Sequence, residues 1–284
     1  MVEITNKYVQ NKGLKRNTID KFYTKNNIVE LCLTYFTQKI QFNINDLIIE
    51  PSAGNGSFSK KIKTLTKNYI FLDIEPFNDI LNNDILKQDY LKFDYNQIIR
   101  KYDKIHIIGN PPFGRQSNMA FKFIKKSCEF CNSISFILPK SFKKDSMKNS
   151  IPLNFHNIFE VDLPNNSFFF NDVEYDVPCI FQIWIKKSNN RIIMSKLIEN
   201  NFDFVKQNDN PHISFRRVGV NAGKIEIITN GKSIQSHYFI KFKNNKSIDE
   251  NINLLSNVKF NHNNTVGPKS ISKQELISEF NKYI

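Results

Sequence analysis

The segment Asn110-Pro111-Pro112-Phe113 combines residue types that could hold a small reactive group in place. It follows the apolar run 104–108, which is predicted to be a buried strand, and Gly109 ends that strand. Each proline fixes its own φ angle and biases the preceding residue towards extended backbone. The segment is therefore predicted to be a stiff corner at the carboxyl end of a strand, with Asn110 and Phe113 pointing outward. In α/β sheets, ligands bind at that edge.

Such a corner suits chemistry at the exocyclic amine of adenine. This nitrogen is a poor nucleophile because its lone pair is delocalised into the ring, so an enzyme must hold it with acceptors. The side-chain oxygen of Asn110 and the carbonyl of Pro111 could accept its two N–H groups and aim the lone pair at an electrophile. Phe113 could stack on the base, an interaction worth about 1–3 kcal/mol. An ordinary Pro-Pro turn with an exposed Phe is the alternative interpretation.

A second stretch with chemical potential, residues 47–58, is predicted to form a strand, a small-residue turn and a helix. Ala53 and Gly54 lie in the turn, where glycine lets the backbone approach a ligand closely. No Gly-Lys-Ser/Thr sequence follows, so the turn is not a phosphate loop. Glu50, directly before the turn, suits a ligand that carries an ammonium group.

Two further acids end predicted strands at the same edge of the sheet. Asp73 ends the strand 69–73 and lies 19 residues after Gly54, where a carboxylate can accept both hydroxyls of a ribose. Capping of a following helix is the alternative role for Asp73. Asp89 and Tyr90 lie in a third short strand, 84–91, and suit the amine and the face of an adenine ring.

The elements that would carry these residues alternate between strands and helices. Helical patterns occupy parts of 22–36, 58–65 and 119–131, and Thr24 is the predicted N-cap of the first helix. Further apolar runs predict strands at 135–139, 158–161 and 177–185. This alternation predicts a doubly wound α/β sheet.

The pattern changes after the polar run 187–191, which predicts a domain boundary. We therefore expect one domain at 1–187, opened by a polar arm and a helical segment, and a small C-terminal α+β region at 188–284. Short strands with basic turns are predicted at 215–224 and 238–242, and a terminal helix at 273–283. Arg216, Arg217 and Lys224 are predicted to contact substrate phosphates there, and a solvated basic face is the alternative.

Composition indicates a basic globular protein with a polyanionic partner. The 284 residues carry a net charge of +13, which favours nucleic acid, although AT-rich coding DNA also enriches lysine. No secretory segment or long apolar span is evident, so the chain is expected to be cytoplasmic and not membrane-bound. Cys128 and Cys131 fall in a helical pattern and are predicted to pack in the core rather than bind a metal.

Taken in order, these pieces resemble the S-adenosylmethionine-dependent adenine-N6 methyltransferases. They follow the order of the gamma class of DNA adenine methyltransferases: Phe-Tyr-Thr at 22–24, Glu-Pro-x-x-Gly-x-Gly at 50–56, the acid at 73, Asp-Tyr at 89–90 and Asn-Pro-Pro-Phe at 110–113. The match covers about residues 18–187. The resemblance implies a Rossmann-like, seven-stranded methyltransferase sheet whose last strand is antiparallel. Lys25 stands where this family usually has proline.

The resemblance also implies S-adenosylmethionine as the cofactor and assigns the residues around it. The methionine part would be surrounded by Tyr23, Thr24, Glu50, Ala53 and Gly54. Asp73 would hold the ribose, and Asp89 with Tyr90 would hold the adenine ring. Residues 110–113 would grip a target adenine flipped out of its stack. One aromatic of Phe168-Phe169-Phe170, with Phe170 favoured, would pack on the other face of that base, and core packing is the alternative for Phe170.

The resemblance favours DNA as the substrate and leaves other classes open. Similar corners occur in enzymes that methylate adenine in ribosomal RNA or near the messenger cap, so an RNA adenine-N6 methyltransferase is the main alternative. A protein glutamine methyltransferase and a catalytically silent, nucleic-acid-binding partner subunit are further alternatives. A cytosine ring methyltransferase is not expected, because no cysteine occupies the corner to act as nucleophile.

Overall fold

The computed structural model describes residues 22–76, 84–170, 173–193, 195–260 and 269–284, so the predicted polar arm at the N-terminus lies outside the described residues. Its strands are β1 (Tyr23–Thr24), β2 (Leu47–Glu50), β3 (Tyr69–Asp73), β4 (Ile85–Lys87), β5 (Ile105–Gly109), β6 (Ser133–Pro139), β7 (Phe155–Asp162), β8 (Phe168–Phe170), β9 (Val173–Tyr175), β10 (Cys179–Lys186), β11 (Phe202–Val205), β12 (Ile213–Arg216), β13 (Ile225–Glu226) and β14 (His237–Phe242). Its helices are α1 (Asn26–Lys39), α2 (Ser57–Leu65), α3 (Asn118–Phe130), α4 (Asp145–Lys148), α5 (Ile248–Leu255) and α6 (Lys273–Phe280).

Seven strands form the central sheet, in the spatial order β4-β3-β2-β5-β6-β10-β7. Strands β2 to β6 run parallel to one another, whereas β10 is antiparallel to both β6 and β7. Because β10 is the last strand of this sheet along the chain, the structure confirms the predicted Rossmann-like methyltransferase sheet with an antiparallel last strand. The order reverses between β2 and β5, and a ligand site is expected at the carboxyl ends of those strands.

Helices cover both faces of this sheet, so its central strands are buried on both sides. Every residue of β2 is buried, which explains its continuous apolar run before Glu50. One face packs against α1 and α2 through side chains such as Ile48, Phe71 and Phe181. The other face packs against α3 through side chains such as Ile49, Ile107 and Phe136.

A second, three-stranded sheet of order β1-β8-β9 lies at the start of α1. Tyr23 pairs with Phe169 and Thr24 with Phe168, so extended backbone continues through Thr24. The N-cap of α1 is therefore Lys25, and the predicted N-cap at Thr24 is wrong. The Lys25 N–H donates to the Ser167 carbonyl at 3.1 Å, which extends this pairing by one residue.

The C-terminal region contains a four-stranded antiparallel sheet of order β11-β14-β12-β13 with two helices beside it. Capping boxes start both helices, from Ser247 and Glu250 in α5 and from Ser272 and Glu275 in α6. This confirms the small α+β region. The predicted strand at 215–224 is interrupted by a turn, and β11 and α5 were not predicted.

The C-terminal region has a hydrophobic core of its own. The buried members of this cluster all lie between Phe202 and Phe280. The preceding segment is attached at each end: the Arg191 guanidinium donates to the Lys148 and Ile151 carbonyls at 2.6 Å, and Leu197 exchanges two hydrogen bonds with Gln274. The predicted division between residues 187 and 188 falls just before this segment and stays a prediction.

Candidate active site

A pocket of about 970 Å³ opens at the carboxyl ends of the central strands. All eight residues predicted to surround a cofactor line it, namely Tyr23, Thr24, Glu50, Ala53, Gly54, Asp73, Asp89 and Tyr90. Of the proline corner, Asn110 and Pro112 line the pocket, whereas Pro111 and Phe113 do not. Other lining residues were not predicted, among them Phe22, Ile74, Arg115, Met119 and Phe123. The structure thus places the predicted cofactor residues around one cavity together with Asn110 and Pro112.

The turn after β2 is held in a conformation that requires glycine at position 54. Gly54 has a φ of +53°, and its N–H donates to Asp73 Oδ2 at 2.8 Å. A Cβ atom at this position would lie 3.2 Å from Cε1 of Tyr23. The backbone of the turn therefore lies against the Tyr23 ring, and a side chain at position 54 would require the turn or the ring to shift.

Glu50 is a buried carboxyl group on the lining of the pocket, with only 2% of its surface exposed. Burial raises the pKa of Glu50 to about 8; a hydrogen bond from Ser59 partly opposes this shift, and the nearby Asp73 charge adds to it. Ser59 Oγ lies 2.5 Å from Glu50 Oε2. The group is therefore largely protonated at neutral pH, and a cation bound beside it would favour the carboxylate.

Asp73 fixes two neighbouring backbone segments at the end of β3. Its Oδ2 accepts the Gly54 N–H, and its Oδ1 accepts the Glu75 N–H at 2.7 Å. Residues 77–83 lie outside the described residues, so the alternative role of Asp73 as a cap of a following helix stays a prediction. Each carboxylate oxygen keeps a second acceptor site, so the carboxylate retains capacity for hydroxyl groups of a ligand.

Asp89 and Tyr90 border the pocket in different ways. Asp89 Oδ1 accepts the Leu91 N–H at 2.9 Å and so starts a short 3-10 turn. Tyr90 is only 1% exposed, and its hydroxyl group lies 2.7 Å from Ser127 Oγ. Tyr90 is therefore mainly a core residue, which weakens its predicted role as a face for adenine. Ile74 offers more apolar surface to the pocket, with 60% of its surface exposed.

The Asn110 side chain is oriented by two acceptors from the β1 segment. Its Nδ2 lies 3.3 Å from the Phe22 carbonyl oxygen and 3.2 Å from Thr24 Oγ1. The Phe22 carbonyl can only accept, so the nitrogen of the carboxamide must face it. Asn110 Oδ1 is buried and has no hydrogen-bond partner among the described residues. The corner therefore holds one buried, unpaired acceptor.

Phe113 does not point outward as predicted. Its ring is 9% exposed and belongs to the core cluster that includes Ile108, Ile137 and Phe168, because burial of a large apolar ring is favourable. The Phe113 carbonyl accepts the backbone N–H groups of Met119 and Ala120 at the start of α3. No described residue donates to the Pro111 carbonyl, although Pro111 is buried and absent from the pocket lining.

The loop between the corner and α3 has unusual backbone geometry. Gly114, Gln116 and Ser117 all have positive φ angles, of 68°, 53° and 62°. Such angles are costly for residues other than glycine and cluster at functional sites. Arg115 lies in this loop, exposed and on the lining of the pocket, and is the cation nearest to the corner in sequence.

Phe22, the residue directly before β1, lines the pocket, whereas the predicted Phe170 does not. The Phe22 ring stacks on Tyr175 at a centroid distance of 5.2 Å and lies 5.7 Å from the Phe170 ring. Phe170 is partly buried in this cluster and is absent from the pocket lining. Phe22 was missed because the sequence pattern assigns it to the first helix, and only the pairing of β1 with β8 places it elsewhere.

The three basic residues predicted to contact phosphates lie apart from the pocket lining. Arg216 Nε donates to the Val218 carbonyl at 3.2 Å, and the Arg217 guanidinium lies 5.0 Å above the Tyr238 ring. Lys224 is paired with Glu226 at 2.9 Å, and Lys232 shares the same carboxylate. These two lysines lower the pKa of Glu226 to about 2. Lys224 is thus held in an ion pair with Glu226, which argues against its predicted contact with phosphate.

Cys128 and Cys131 are both buried. Burial raises the pKa of Cys128 to about 12 and that of Cys131 well above its usual range, so both remain thiols at neutral pH. In the part of the chain that the structure describes, no group of three or more His, Cys, Asp or Glu residues could hold a metal ion. No helix in the described ranges is both long and apolar enough to cross a membrane.

Comparison with known proteins finds similarity only to solved structures, since no family model and no curated protein matches the chain. A candidate RNA methyltransferase from Pyrococcus horikoshii is 17% identical, with a TM-score of 0.46 over 62% of this chain and 93% of that one. An rRNA methylase from Streptococcus thermophilus is 10% identical, with a TM-score of 0.38 over 56% and 96%. Magnesium protoporphyrin IX methyltransferase from Synechocystis, with S-adenosylmethionine bound, is 10% identical, with a TM-score of 0.40 over 57% and 79%. At these identities and scores the likeness does not identify the cofactor or substrate of this chain.

Proposed function

We propose that this chain is an S-adenosylmethionine-dependent methyltransferase that acts on the N6 amine of adenine in nucleic acid, with DNA as the favoured substrate. The observation that carries the proposal is the Asn110 carboxamide, whose nitrogen is held by Phe22 and Thr24 while its oxygen is buried and unpaired. An acceptor without a donor is what a primary aromatic amine needs. The residues 188–284 would form the substrate-recognition region.

The residues around the pocket fit S-adenosylmethionine. Glu50 is a buried carboxyl group with no cationic partner in the described ranges, and the ammonium group of the cofactor would supply one. Asp73 would accept the ribose hydroxyls, and Asp89 and Ile74 would contact the adenine ring. When bound, the cofactor supplies an electrophilic methyl group that the amine lone pair attacks as the sulfur–carbon bond breaks.

The corner would act on the target amine by position and electrostatics. Asn110 Oδ1 and the Pro111 carbonyl would each accept one N–H of the amine. These bonds draw the nitrogen away from conjugation with the ring and strengthen as positive charge develops on it. The same arrangement disfavours a carbonyl group at that position of the base, because two acceptors would then face a third. After transfer, the surplus proton on nitrogen leaves to solvent.

The proposal is tested by methyl transfer from labelled cofactor to duplex DNA, ribosomal RNA, capped RNA and protein, followed by analysis of the modified nucleoside or amino acid. N6-methyladenine in DNA is the expected product. The same product in RNA alone would support the alternative RNA enzyme, and label on glutamine would overturn adenine chemistry. No transfer to any of the four would leave the silent partner subunit as the better description.

Asn110→Ala should lower the single-turnover rate by 100- to 1,000-fold, or about 2.7–4 kcal/mol, the usual effect of removing one preorganised polar group. The matched control is Asn190→Ala, which changes an exposed asparagine outside the pocket lining and should keep the parent rate. Thermal melts with cofactor show whether each variant is folded. An Asn110→Ala protein that melts normally and transfers methyl at the parent rate would contradict the mechanism.

A further inference from the structure

The carboxamide of Asn110 has two orientations that differ only by exchange of its oxygen and nitrogen. Only one of them presents an acceptor to an amine, and the other presents an NH2 group that would repel the amine N–H bonds. The orientation therefore decides whether the corner can hold an amine. The proline turn fixes the backbone of the corner, but it does not fix the side-chain torsion that decides whether the oxygen or the nitrogen of the Asn110 carboxamide faces the pocket.

Two groups from β1 and its flank set that torsion in the structure. Thr24 Oγ1 lies 3.2 Å from Asn110 Nδ2, although the two residues are 86 positions apart in the sequence. Thr24 is 6% exposed, and its backbone pairs with Phe168 of β8, so its hydroxyl has a fixed position. The Phe22 carbonyl is the second acceptor, at 3.3 Å. Together they occupy both N–H bonds of the carboxamide.

We propose that Thr24 is a positioning residue for Asn110 and thereby a determinant of specificity for a purine with an amine at position 6. This inference rests on the proposed function, because it concerns the orientation of the acceptor that the proposed reaction needs. The hydroxyl oxygen of Thr24 accepts from Asn110, which keeps Oδ1 as the group available to the base. A 6-oxo purine such as hypoxanthine presents an acceptor at that position and is rejected.

The first arm of the test compares Thr24→Val, which keeps the shape but removes the acceptor, with Thr24→Ser, which keeps the acceptor. The substrate is whichever nucleic acid the wild-type protein methylates in the assay described above. Thr24→Val should lower the single-turnover rate about tenfold, near the upper range for one hydrogen bond. Thr24→Ser should recover most of that loss. Thr37→Val, a matched change at an exposed position of α1, should keep the parent rate.

The second arm measures a property that a purely structural role of Thr24 would not change. Competition binding compares two oligonucleotides that differ only in adenine or hypoxanthine at the methylated position. The wild-type protein and Thr24→Ser should prefer adenine, and Thr24→Val should lose much of that preference because its Asn110 carboxamide keeps only one anchor. A Thr24→Val protein with a lower rate but an unchanged preference would overturn the inference, as would one with the parent rate.

The two proposals fail in different ways. If the wild-type protein methylates no nucleic acid, the proposed function fails, and the positioning role of Thr24, which rests on it, is overturned with it. If the wild-type protein methylates adenine but Thr24→Val and Thr24→Ser behave alike, only the positioning role of Thr24 fails.

Discussion

The ionisation of Glu50 depends on what occupies the pocket. In the free protein, burial raises the pKa of this carboxyl group to about 8. A bound ammonium group would stabilise the carboxylate and lower that pKa again. Binding of the proposed cofactor below pH 8 must therefore release a proton from Glu50.

We predict that the affinity for S-adenosylhomocysteine rises as the pH increases from 6 to 8, by up to about tenfold per pH unit, and levels off above the pKa of Glu50. Calorimetry in buffers with different ionisation enthalpies would report both the affinity and the released proton. The control is Glu50→Gln, which has no proton to release and should bind weakly with little dependence on pH over this range. A wild-type affinity that is independent of pH would contradict an ammonium partner for Glu50.

The same pKa shift predicts how Glu50 affects the stability of the free protein. A carboxyl group whose folded-state pKa is raised contributes stability that is fully present below its unfolded pKa, near 4.5, and is lost as the pH rises to about 8. The slope is at most about 1.4 kcal/mol per pH unit. The difference in urea midpoints between wild type and Glu50→Gln, measured at pH 5.5 and pH 8, should therefore shrink or reverse at the higher pH.

His106 also makes stability depend on pH, so the midpoint difference between wild type and Glu50→Gln is more informative than the pH dependence of either protein alone. It is buried between Asp46 and Ser133 at the other end of the sheet, and burial lowers its pKa. Its contribution has the opposite sign, because the unfolded state binds the proton more readily and stability is lost as the pH falls. Both proteins share this contribution, so it cancels in the comparison. Equal midpoint differences at both pH values would contradict the raised pKa of Glu50.

Gly54→Ala should abolish tight cofactor binding. The substitution combines a φ of +53° with a Cβ only 3.2 Å from the Tyr23 ring, so the turn or the ring must move. The matched control is Gly231→Ala, where φ is +72° and nothing lies within 4 Å of the added Cβ. Each variant should lose about 1–2 kcal/mol of stability to backbone strain, but only Gly54→Ala should lose affinity for the cofactor. Equal affinity in both variants would show that the turn tolerates a side chain.

At the scale of elements, the two-residue strand β1 links Asn110 of the proline corner to strand β8, because Thr24 contacts Asn110 and pairs with Phe168. The Lys25 N–H donates to Ser167, and Lys25 Nζ lies 2.5 Å from Glu174 Oε1 on β9 and 5.1 Å above the Phe169 ring. A proline at position 25, as in the family that the sequence resembles, could not donate the backbone hydrogen bond. Its side chain could not form the ion pair either.

We predict that Lys25→Pro is less stable than Lys25→Met by about 0.5–1.5 kcal/mol, the usual value of one hydrogen bond. The backbone angles of Lys25, φ −64° and ψ 147°, suit proline, so strain should add little to the difference. Both variants lack the ion pair, and Glu174 is mostly exposed, so the pair itself should contribute little. Urea unfolding measures the comparison, and equal stabilities would show that the bond to Ser167 does not stabilise the sheet.

The sequence predicts the long periodic elements well and the short non-local ones poorly. The strand at 69–73 is found at its predicted bounds, because a buried apolar run carries its own signal. A two-residue strand has no period, so β1 and the contact of Thr24 with Asn110 could not be read from the chain. The burial of Phe113 and the pairing of Lys224 with Glu226 depend on partners that only the folded structure brings close.

At the scale of the whole molecule, the net charge of +13 is distributed unevenly among paired and unpaired cations. Many lysines form ion pairs, such as Lys140 and Lys143 with Asp162 and Lys224 with Glu226. Arg216 and Arg217 form no ion pair with any described residue, so they remain the stronger candidates for contacts with phosphates.

Replacing Arg216 and Arg217 by Gln should weaken nucleic-acid binding and reduce the slope of log affinity against log salt, since each phosphate contact releases counterions. Lys224→Gln is the matched control and should change the slope less, because Glu226 already balances its charge. The cofactor affinity should be the same in all three proteins. A double variant with an unchanged slope would assign both arginines to a solvated surface.

The pairing of β1 with β8 affects the order in which the parts of the pocket form while the chain is being synthesised. Strands β2 to β5, at whose carboxyl ends the pocket opens, lie within residues 47–109, whereas Thr24 is fixed only when Phe168 has been made. Asn110 precedes Phe168 by 58 residues, which at about 5–20 residues per second is about 3–12 s of synthesis. The nascent chain can therefore assemble strands β2 to β5 first. The proline corner that would select the base becomes ordered only after strands β8 and β9 have left the ribosome.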